Sequence, residues 1–114
     1  MTDYHSTGKT TLTPEVLLTI ARMAALEVKG VKHMAPVKGG VNSLFRRGND
    51  GVRIVVEDSI ALIDLYLVLN NDVNIREISR TVQQTVARAV TEMTGMEVGH
   101  VNIHIEDIDY LTEA

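Results

Sequence analysis

Apolar residues recur at helical spacing in two parts of the chain. The sequence T-P-E at 13–15 is typical of a helix start, with threonine as the N-cap and proline in the first turn, and it predicts a helix to about Val28. The apolar positions of this helix extend beyond one stripe, which predicts burial on more than one side. A second predicted helix begins at the capping box of Asn74, carries one apolar stripe and ends at Gly95.

Shorter apolar runs, bounded by turn residues, predict a small sheet. The predicted strands cover residues 9–12, 52–57, 60–69 and 97–107. The middle two are separated by Asp58 and Ser59, which is the length of a tight hairpin. Residues 31–51 are predicted to form a long glycine-rich segment without a strand. The resulting order, (β)αββαβ, predicts an α+β fold: a two-layer domain with two helices packed on one face of a small, mainly antiparallel sheet.

Length and composition limit the organisation of the chain. We predict a single domain over all 114 residues, with a flexible N-terminus at 1–7 and a short acidic tail at 111–114. The absence of cysteine excludes disulfides, thiolate metal sites and cysteine nucleophiles. The start of the chain lacks the pattern of a secretory signal, and the longest apolar stretch is about half the ~20 residues of a spanning helix. We therefore expect a cytoplasmic protein.

The strand predicted at 60–69 is apolar on both faces. Its odd-numbered positions, from Ala61 to Leu69, form one face that the helices are expected to cover. The even-numbered positions are also mostly apolar, and we predict that they mediate self-association into a homo-oligomer. These self-association residues are Ile60, Leu62, Tyr66 and Val68. The alternative is that the preceding basic loop folds back over this face.

Charge is distributed unevenly along a chain whose net charge is −4. Six of the 11 basic residues lie between positions 29 and 53, where the only acid is Asp50. They are Lys29, Lys32, Lys38, Arg46, Arg47 and Arg53. This basic segment predicts a partner-binding site for an acidic protein or, through weak attraction, for an anionic membrane surface. The alternative is a solvated connector.

The histidines and acids of the last two strands do not form a recognisable metal or catalytic site. His100 and His104 lie four residues apart on one strand, about 13 Å, and cannot chelate one ion within one chain. Asp64 and Tyr66 could face either histidine across the sheet and form an acid–base pair. No nucleophile lies beside a base, and G-K-T at 8–10 lacks the leading strand and first glycine of a P-loop. We therefore predict a protein without enzymatic activity, cofactor or metal.

The element order αββαβ invites comparison with KH-type RNA-binding domains, in which case the basic segment would contact RNA. The G-x-x-G clamp of those domains is missing, and aromatic residues make up only 4% of the chain, so stacking surfaces for bases are scarce. We do not expect nucleic acid as a partner, and a small RNA-binding module is kept as a further alternative.

Four motifs carry a resemblance to a known family. They are T-P-E-V-L at 13–17, K-G-V at 29–31, V-Q-Q-T-V-A-R-A-V-T-E-M-T-G-M-E-V at 82–98 and V-N-I-H-I-E-D-I at 101–108. Together they resemble the alkaline shock protein 23 (Gls-type envelope stress response) family. The match extends over about residues 8 to 110 and is most specific where the second helix ends and the last strand begins.

The resemblance implies a cytoplasmic, non-enzymatic interaction protein that acts in cell-envelope homeostasis of Gram-positive-type bacteria. Some members of the family are tethered beneath the membrane by a separate membrane-anchored partner and some self-assemble, so the resemblance implies both kinds of contact. Other members are associated with control of fatty-acid synthesis, and a regulator that binds acetyl-CoA carboxylase is therefore an alternative. The resemblance supplies no catalytic residues.

Overall fold

The computed structural model describes residues 13–36 and 51–109, the last of these by its backbone alone. The predicted edge strand at 9–12, the flexible N-terminus and the acidic tail lie outside the described part of the chain. The elements in chain order are α1 (Pro14–Leu26), β1 (Val31–Met34), β2 (Val52–Glu57), β3 (Ile60–Asn70), α2 (Ile75–Thr94) and β4 (Glu97–Asp109).

Both helices begin where the sequence predicts. The Thr13 side chain accepts a hydrogen bond from the Val16 amide of α1, and the Asn74 side chain accepts one of 3.0 Å from the Glu77 amide of α2. Each bond satisfies an amide that a helix start leaves without an intrahelical partner. α2 ends at Gly95, whose φ of 78° is the left-handed conformation that glycine adopts at helix ends.

The sheet is built around β3, whose two edges pair with different strands. β4 runs parallel to β3 along residues 60–70. β2 pairs antiparallel with residues 60–65 of β3, and β1 pairs antiparallel with residues 67–69. Because β4 occupies one edge throughout, β1 and β2 follow each other along the other edge. The predicted α+β fold is confirmed, with two antiparallel pairings and one parallel pairing.

β1 lies in the segment predicted to contain no strand, so that prediction is wrong for residues 31–34. The four residues V-K-H-M show no regular alternation of apolar and polar positions. The pairing with β3 also shifts register between Val31 and His33, which breaks the two-residue period on which strand prediction relies. Residues 31–34 therefore form a strand because they pair with the end of β3, and the local sequence pattern does not determine it.

The core lies between the two helices and one face of the sheet. The helix-facing side chains of β3 are all fully buried: Ala61, Ile63, Leu65, Leu67 and Leu69. They belong to one cluster with Val82, Val86 and Val90 of α2 and with Leu17, Ala21, Ala24 and Ala25 of α1. Burial of each large aliphatic side chain contributes about 1.5–3 kcal/mol, so these contacts hold the two layers together.

α1 is buried on one side only, which contradicts the predicted burial on more than one side. Val16, Met23 and Leu26 are 41%, 55% and 39% exposed, respectively. The buried residues of α1 fall within one arc of the helix. A wide apolar pattern does not distinguish an enclosed helix from one that leaves apolar side chains at the surface.

β1 and β2 meet at one point on the edge of β3. The Ala35 amide donates to the Tyr66 carbonyl, and the Tyr66 amide donates to the Gly51 carbonyl, each at 2.8 Å. Ala35 and Gly51 therefore lie side by side at Tyr66. Gly51 has a φ of 85°, and a Cβ there would lie 2.7 Å from both the Ala35 oxygen and the Met34 Cβ. The junction thus requires glycine.

We predict that Gly51→Ala destabilises the fold more than Gly95→Ala does. Both glycines have positive φ, so each substitution carries a conformational cost of about 1–2 kcal/mol. A methyl group at Gly95 would meet no atom within 4 Å, whereas at Gly51 it would overlap backbone atoms. We expect this overlap to cost about 1–3 kcal/mol more. Urea unfolding measures both free energies, and equal losses would contradict the prediction.

Candidate functional site on the open sheet face

We call the sheet face opposite the helices the open face. Its residues form rows that run across the edge strand, β3 and β4 in turn. The rows are Glu57–Ile60–Glu97, Val55–Leu62–His100, Arg53–Asp64–Asn102, Ala35–Tyr66–His104 and His33–Val68–Asp107. Within the described chain, the apolar cluster on this face contains no helix residue.

Asp64 is the centre of a hydrogen-bonded group on the open face. Asn102 Nδ2 donates to Asp64 Oδ1 at 3.3 Å, and His104 Nε2 lies 3.0 Å from the same oxygen and donates to it when it carries a proton. The parallel pairing with β4 sets Asn102 directly beside Asp64 and His104 one row further on. On the other side, Arg53 of β2 is the register partner of Asp64. Three strands therefore converge on one carboxylate.

The surroundings of Asp64 favour its ionised form. Partial burial of the carboxyl group opposes ionisation, but the hydrogen bonds from His104 and Asn102 act in the other direction. The positive charges of His104 and Arg53 act with these bonds. The balance lowers the pKa of Asp64 below its ordinary value.

Tyr66 fixes the orientation of His104. The two rings are stacked, with centroids 4.5 Å apart and planes inclined by 12°. Tyr66 and Val68 are each only 8% exposed and form a small apolar cluster with Ala35. The predicted meeting of Asp64 and Tyr66 with a histidine across the sheet is confirmed, and the histidine is His104.

This arrangement can hold a charged carboxylate and an oriented imidazole on a sheet surface. The described residues include no group of three or more histidine, aspartate or glutamate side chains arranged to hold a metal ion. Neither helix in the described chain is long and apolar enough to cross a membrane.

The four predicted self-association residues differ in exposure. Tyr66 and Val68 are buried within the chain itself, whereas Ile60 and Leu62 are partly exposed. The role of these four residues in self-association stays a prediction. Val55, which is 42% exposed beside Leu62, was not among the predicted residues. Alternation within residues 52–57 could have indicated it. We call Val55, Ile60 and Leu62 the apolar patch.

The predicted basic residues are only partly within the described chain. Lys29 is exposed in the turn before β1, Lys32 is exposed on β1, and Arg53 is exposed on β2. Lys32 and Arg53 therefore lie on strands that share one edge of β3. Lys38, Arg46 and Arg47 lie outside the described residues.

We predict that the contribution of Asp64 to stability is lost in acid. Because its pKa is lower in the folded chain than in the unfolded chain, the contribution is complete above the unfolded value of about 3.9 and disappears as the pH falls through the lower folded value. The difference in unfolding free energy between wild type and Asp64→Asn should therefore have its full value at about pH 5 and shrink below about pH 4. Denaturant unfolding of both proteins, at pH values on either side of these two limits, measures this difference.

The control is Asp72→Asn, the same substitution at an exposed turn position before α2. It accounts for the general effect of removing one carboxylate from the chain. A difference for Asp64→Asn that stays constant through the acid range would contradict the prediction.

Solved structures with a similar fold include variants of MamM CTD. One matches 83% of this chain and 96% of its own length, with a TM-score of 0.51 and 13% sequence identity. Another also covers 83% of this chain and 98% of its own, with a TM-score of 0.51 and 13% identity. At such low identity the similarity shows the fold alone.

Proteins that are similar in sequence include two from bacteria. The chain is 34% identical over 110 residues to the uncharacterized protein YqhY of Bacillus subtilis strain 168, covering 94% of this chain and 82% of that protein. It is 29% identical over 111 residues to the uncharacterized protein Spy1614 of Streptococcus pyogenes serotype M6, covering 93% of this chain and 92% of that protein. The model of one family matches residues 2–110 and confirms the resemblance carried by the sequence motifs. The chain belongs to the alkaline shock protein 23 family, which has a cell envelope-related function.

Proposed function

We propose that this protein is a non-enzymatic, cytoplasmic interaction protein that acts in cell-envelope homeostasis through self-association and through binding to a membrane-anchored partner. Membership of a family with a cell envelope-related function supports the process. The observation that carries self-association is the apolar patch on the open face. The cytoplasmic location and the membrane-anchored partner rest on the family resemblance.

The apolar patch combines exposure with a fixed shape. Gly99 lies in a bulge of β4, and a Cβ at this position would lie 2.8 Å from side-chain atoms of both Ile60 and Leu62. These two side chains therefore lie over the glycine. Val55 extends the patch onto β2. Exposed apolar area of this kind on a rigid sheet favours a protein partner.

The charges around the apolar patch favour a second copy as its occupant. Ile60 is flanked in its own row by Glu57 and Glu97, and the row on the other side of Leu62 carries Arg53 and Asn102. A second copy that faces the patch with its strands reversed brings Arg53 of each subunit towards Glu57 of the other. The same rotation brings Asn102 towards Glu97. The flanking residues on β2 and β4 are thus complementary between two copies.

We predict that Leu62→Lys weakens self-association, because it buries an unpaired charge in the proposed contact. The matched control is Gln84→Lys, the same gain of charge at an exposed position on α2. Light scattering at tens of micromolar, a range suited to modest interfaces, should show a smaller particle for Leu62→Lys only. Circular dichroism checks that both variants fold. A wild-type protein that is monomeric under these conditions would contradict the proposed self-association.

The connection at Tyr66 supports a common location for the basic segment. Ala35 and Gly51 both bond to Tyr66, so the chain that carries Lys38, Arg46 and Arg47 starts and ends at one point of the edge. That edge also carries Lys32 and Arg53. A cation near an anionic membrane contributes about 1 kcal/mol, so several would give weak attachment. We propose that a membrane-anchored partner supplies the rest.

We predict that the double variant Arg46→Glu with Arg47→Glu reduces binding to vesicles that contain anionic phospholipid. Added salt should reduce wild-type binding as well, because the Debye length falls from about 10 Å at 0.1 M to about 3 Å at 1 M. Arg76→Glu with Arg80→Glu, on the exposed side of α2, has the same change of charge and serves as the control. Vesicle co-sedimentation measures binding. If vesicle binding changes with neither salt nor the two substitutions, the basic segment is a solvated connector.

A further inference from the structure

The two outer edges of the sheet are protected to different degrees. On β4, the Gln83 side chain of α2 donates a hydrogen bond of 2.9 Å to the Val101 carbonyl, and bulges at Gly99 and Glu106 interrupt the strand. Bulges and covering side chains are devices that prevent another strand from pairing. β2 has a continuous register with β3 and no bulge. Within the described chain, no strand pairs with its outer edge.

The hairpin determines which backbone groups of β2 point outward. Asp58 and Ser59 form a two-residue loop with positive φ at both positions, so Glu57 and Ile60 are a hydrogen-bonded pair. The alternation continues to the bond from Tyr66 to Gly51. Odd-numbered residues of β2 therefore bond to β3. The amides and carbonyls of the even-numbered residues 52, 54 and 56 face away from the sheet.

The sequence R-I-V-V-E at 53–57 is complementary to itself in an antiparallel pair. When two copies of β2 pair about Val55, Arg53 lies opposite Glu57 of the partner subunit, and the relation repeats by symmetry. Ile54 lies opposite Val56 of the partner subunit. These two have outward backbone groups, so they form the hydrogen-bonded pairs, and the charged residues occupy the closer, non-hydrogen-bonded positions.

We propose that the β2 edge is an interface with a second copy of this chain, in which two β2 strands pair antiparallel about Val55 and join the two sheets into one. Exposed apolar side chains occur on β2 and on the helix that packs against it. Val56 is 46% exposed on the helix side, and α1, which packs against β2, exposes Val16 and Met23. This edge contact shares Arg53, Val55 and Glu57 with the contact through the apolar patch, but it uses the backbone of β2 instead of the sheet face, and each contact can exist without the other.

The tests use Leu62→Lys as the background, because that substitution is designed to remove the contact through the apolar patch. In the edge pair, the two introduced lysines are three strand spacings apart, about 14 Å. This exceeds the Debye length of about 8 Å at physiological ionic strength. Association that survives in this background is therefore assigned to the edge.

A charge exchange tests the register. Arg53→Glu places like charges opposite each other twice in the symmetric pair, and we expect dimerisation to weaken about tenfold. Adding Glu57→Arg restores opposite charges and should restore the dimer. Both variants lose the attraction between Arg53 and Asp64, so recovery in the double variant separates pairing from folding. Analytical ultracentrifugation measures the dissociation constant. No weakening, or no recovery, would overturn the register.

A proline tests the backbone contact. The Val56 amide points away from β3, so Val56→Pro removes no bond of the sheet but blocks a bond to the partner. Val56→Ala keeps the amide and is the control. We expect Val56→Pro to be a folded monomer and Val56→Ala to retain the dimer. Equal dimerisation of the two variants would overturn edge pairing.

A cysteine tests the two-fold centre directly, since the chain has no cysteine of its own. Val55→Cys should form a disulfide-linked dimer under mild oxidation, because a residue at the centre lies opposite itself at a non-hydrogen-bonded position. Val56→Cys lies opposite Ile54 of the partner subunit and should link poorly. Equal rates of linkage would overturn the proposed centre. If Val55→Cys forms the disulfide in the otherwise wild-type chain but not together with Leu62→Lys, the disulfide is assigned to the contact through the apolar patch.

Discussion

Because the helix-facing side chains of β3 are fully buried beneath α1 and α2, β3 cannot shift by one residue without exchanging its two faces. Such a shift would move Asp64 into an apolar core and expose Ile63 and Leu65. Burial of a carboxylate without partners is strongly unfavourable, so the register of β3 is fixed. The strands on both of its edges take their positions from this register.

The fixed register also explains the irregular pattern of β4. β4 has 13 residues and pairs with the 11 residues of β3, so two residues must be absorbed by bulges. The bulge at Gly99 lets Val98 and Val101 face the core although they are three residues apart, and the bulge at Glu106 does the same for Ile105 and Ile108. Glycine suits the first bulge because Ile60 and Leu62 occupy the space that a Cβ would need.

The sequence predicts the parts of the fold that local patterns determine. Caps at Thr13 and Asn74 give the helix starts, and the two-residue loop at Asp58 gives the hairpin. β1 and the exposed outer side of α1 could not be predicted, because both depend on which element packs where. The meeting of Asp64 with His104 was predicted only as one of two choices, since a parallel β4 with bulges shifts which histidine lies within reach.

The hydrogen-bonded group around Asp64 restricts the side chains on the open face. The carboxylate is held by Asn102 and His104, and the His104 ring is held in turn by its stacking on Tyr66. Since β3 and β4 are linked by these side chains as well as by backbone bonds, the neighbouring apolar patch lies on a surface with little freedom to rearrange. Little conformational entropy is then lost when such a surface binds, and modest apolar area can support association.

The asymmetry between the two sheet edges follows from the placement of the helices. α2 is the connection between the parallel strands β3 and β4, so it must lie close to β4, and Gln83 can reach the Val101 carbonyl from it. α1 lies in the same helical layer, beside α2, and packs against β1 and β2. Its most deeply buried residues are alanines. α1 ends at Leu26, and a short turn leads from it to β1. The parallel crossover therefore protects one edge. On the opposite edge, no strand of the described chain pairs with the outward backbone groups of β2, which lie between the opposite charges of Arg53 and Glu57.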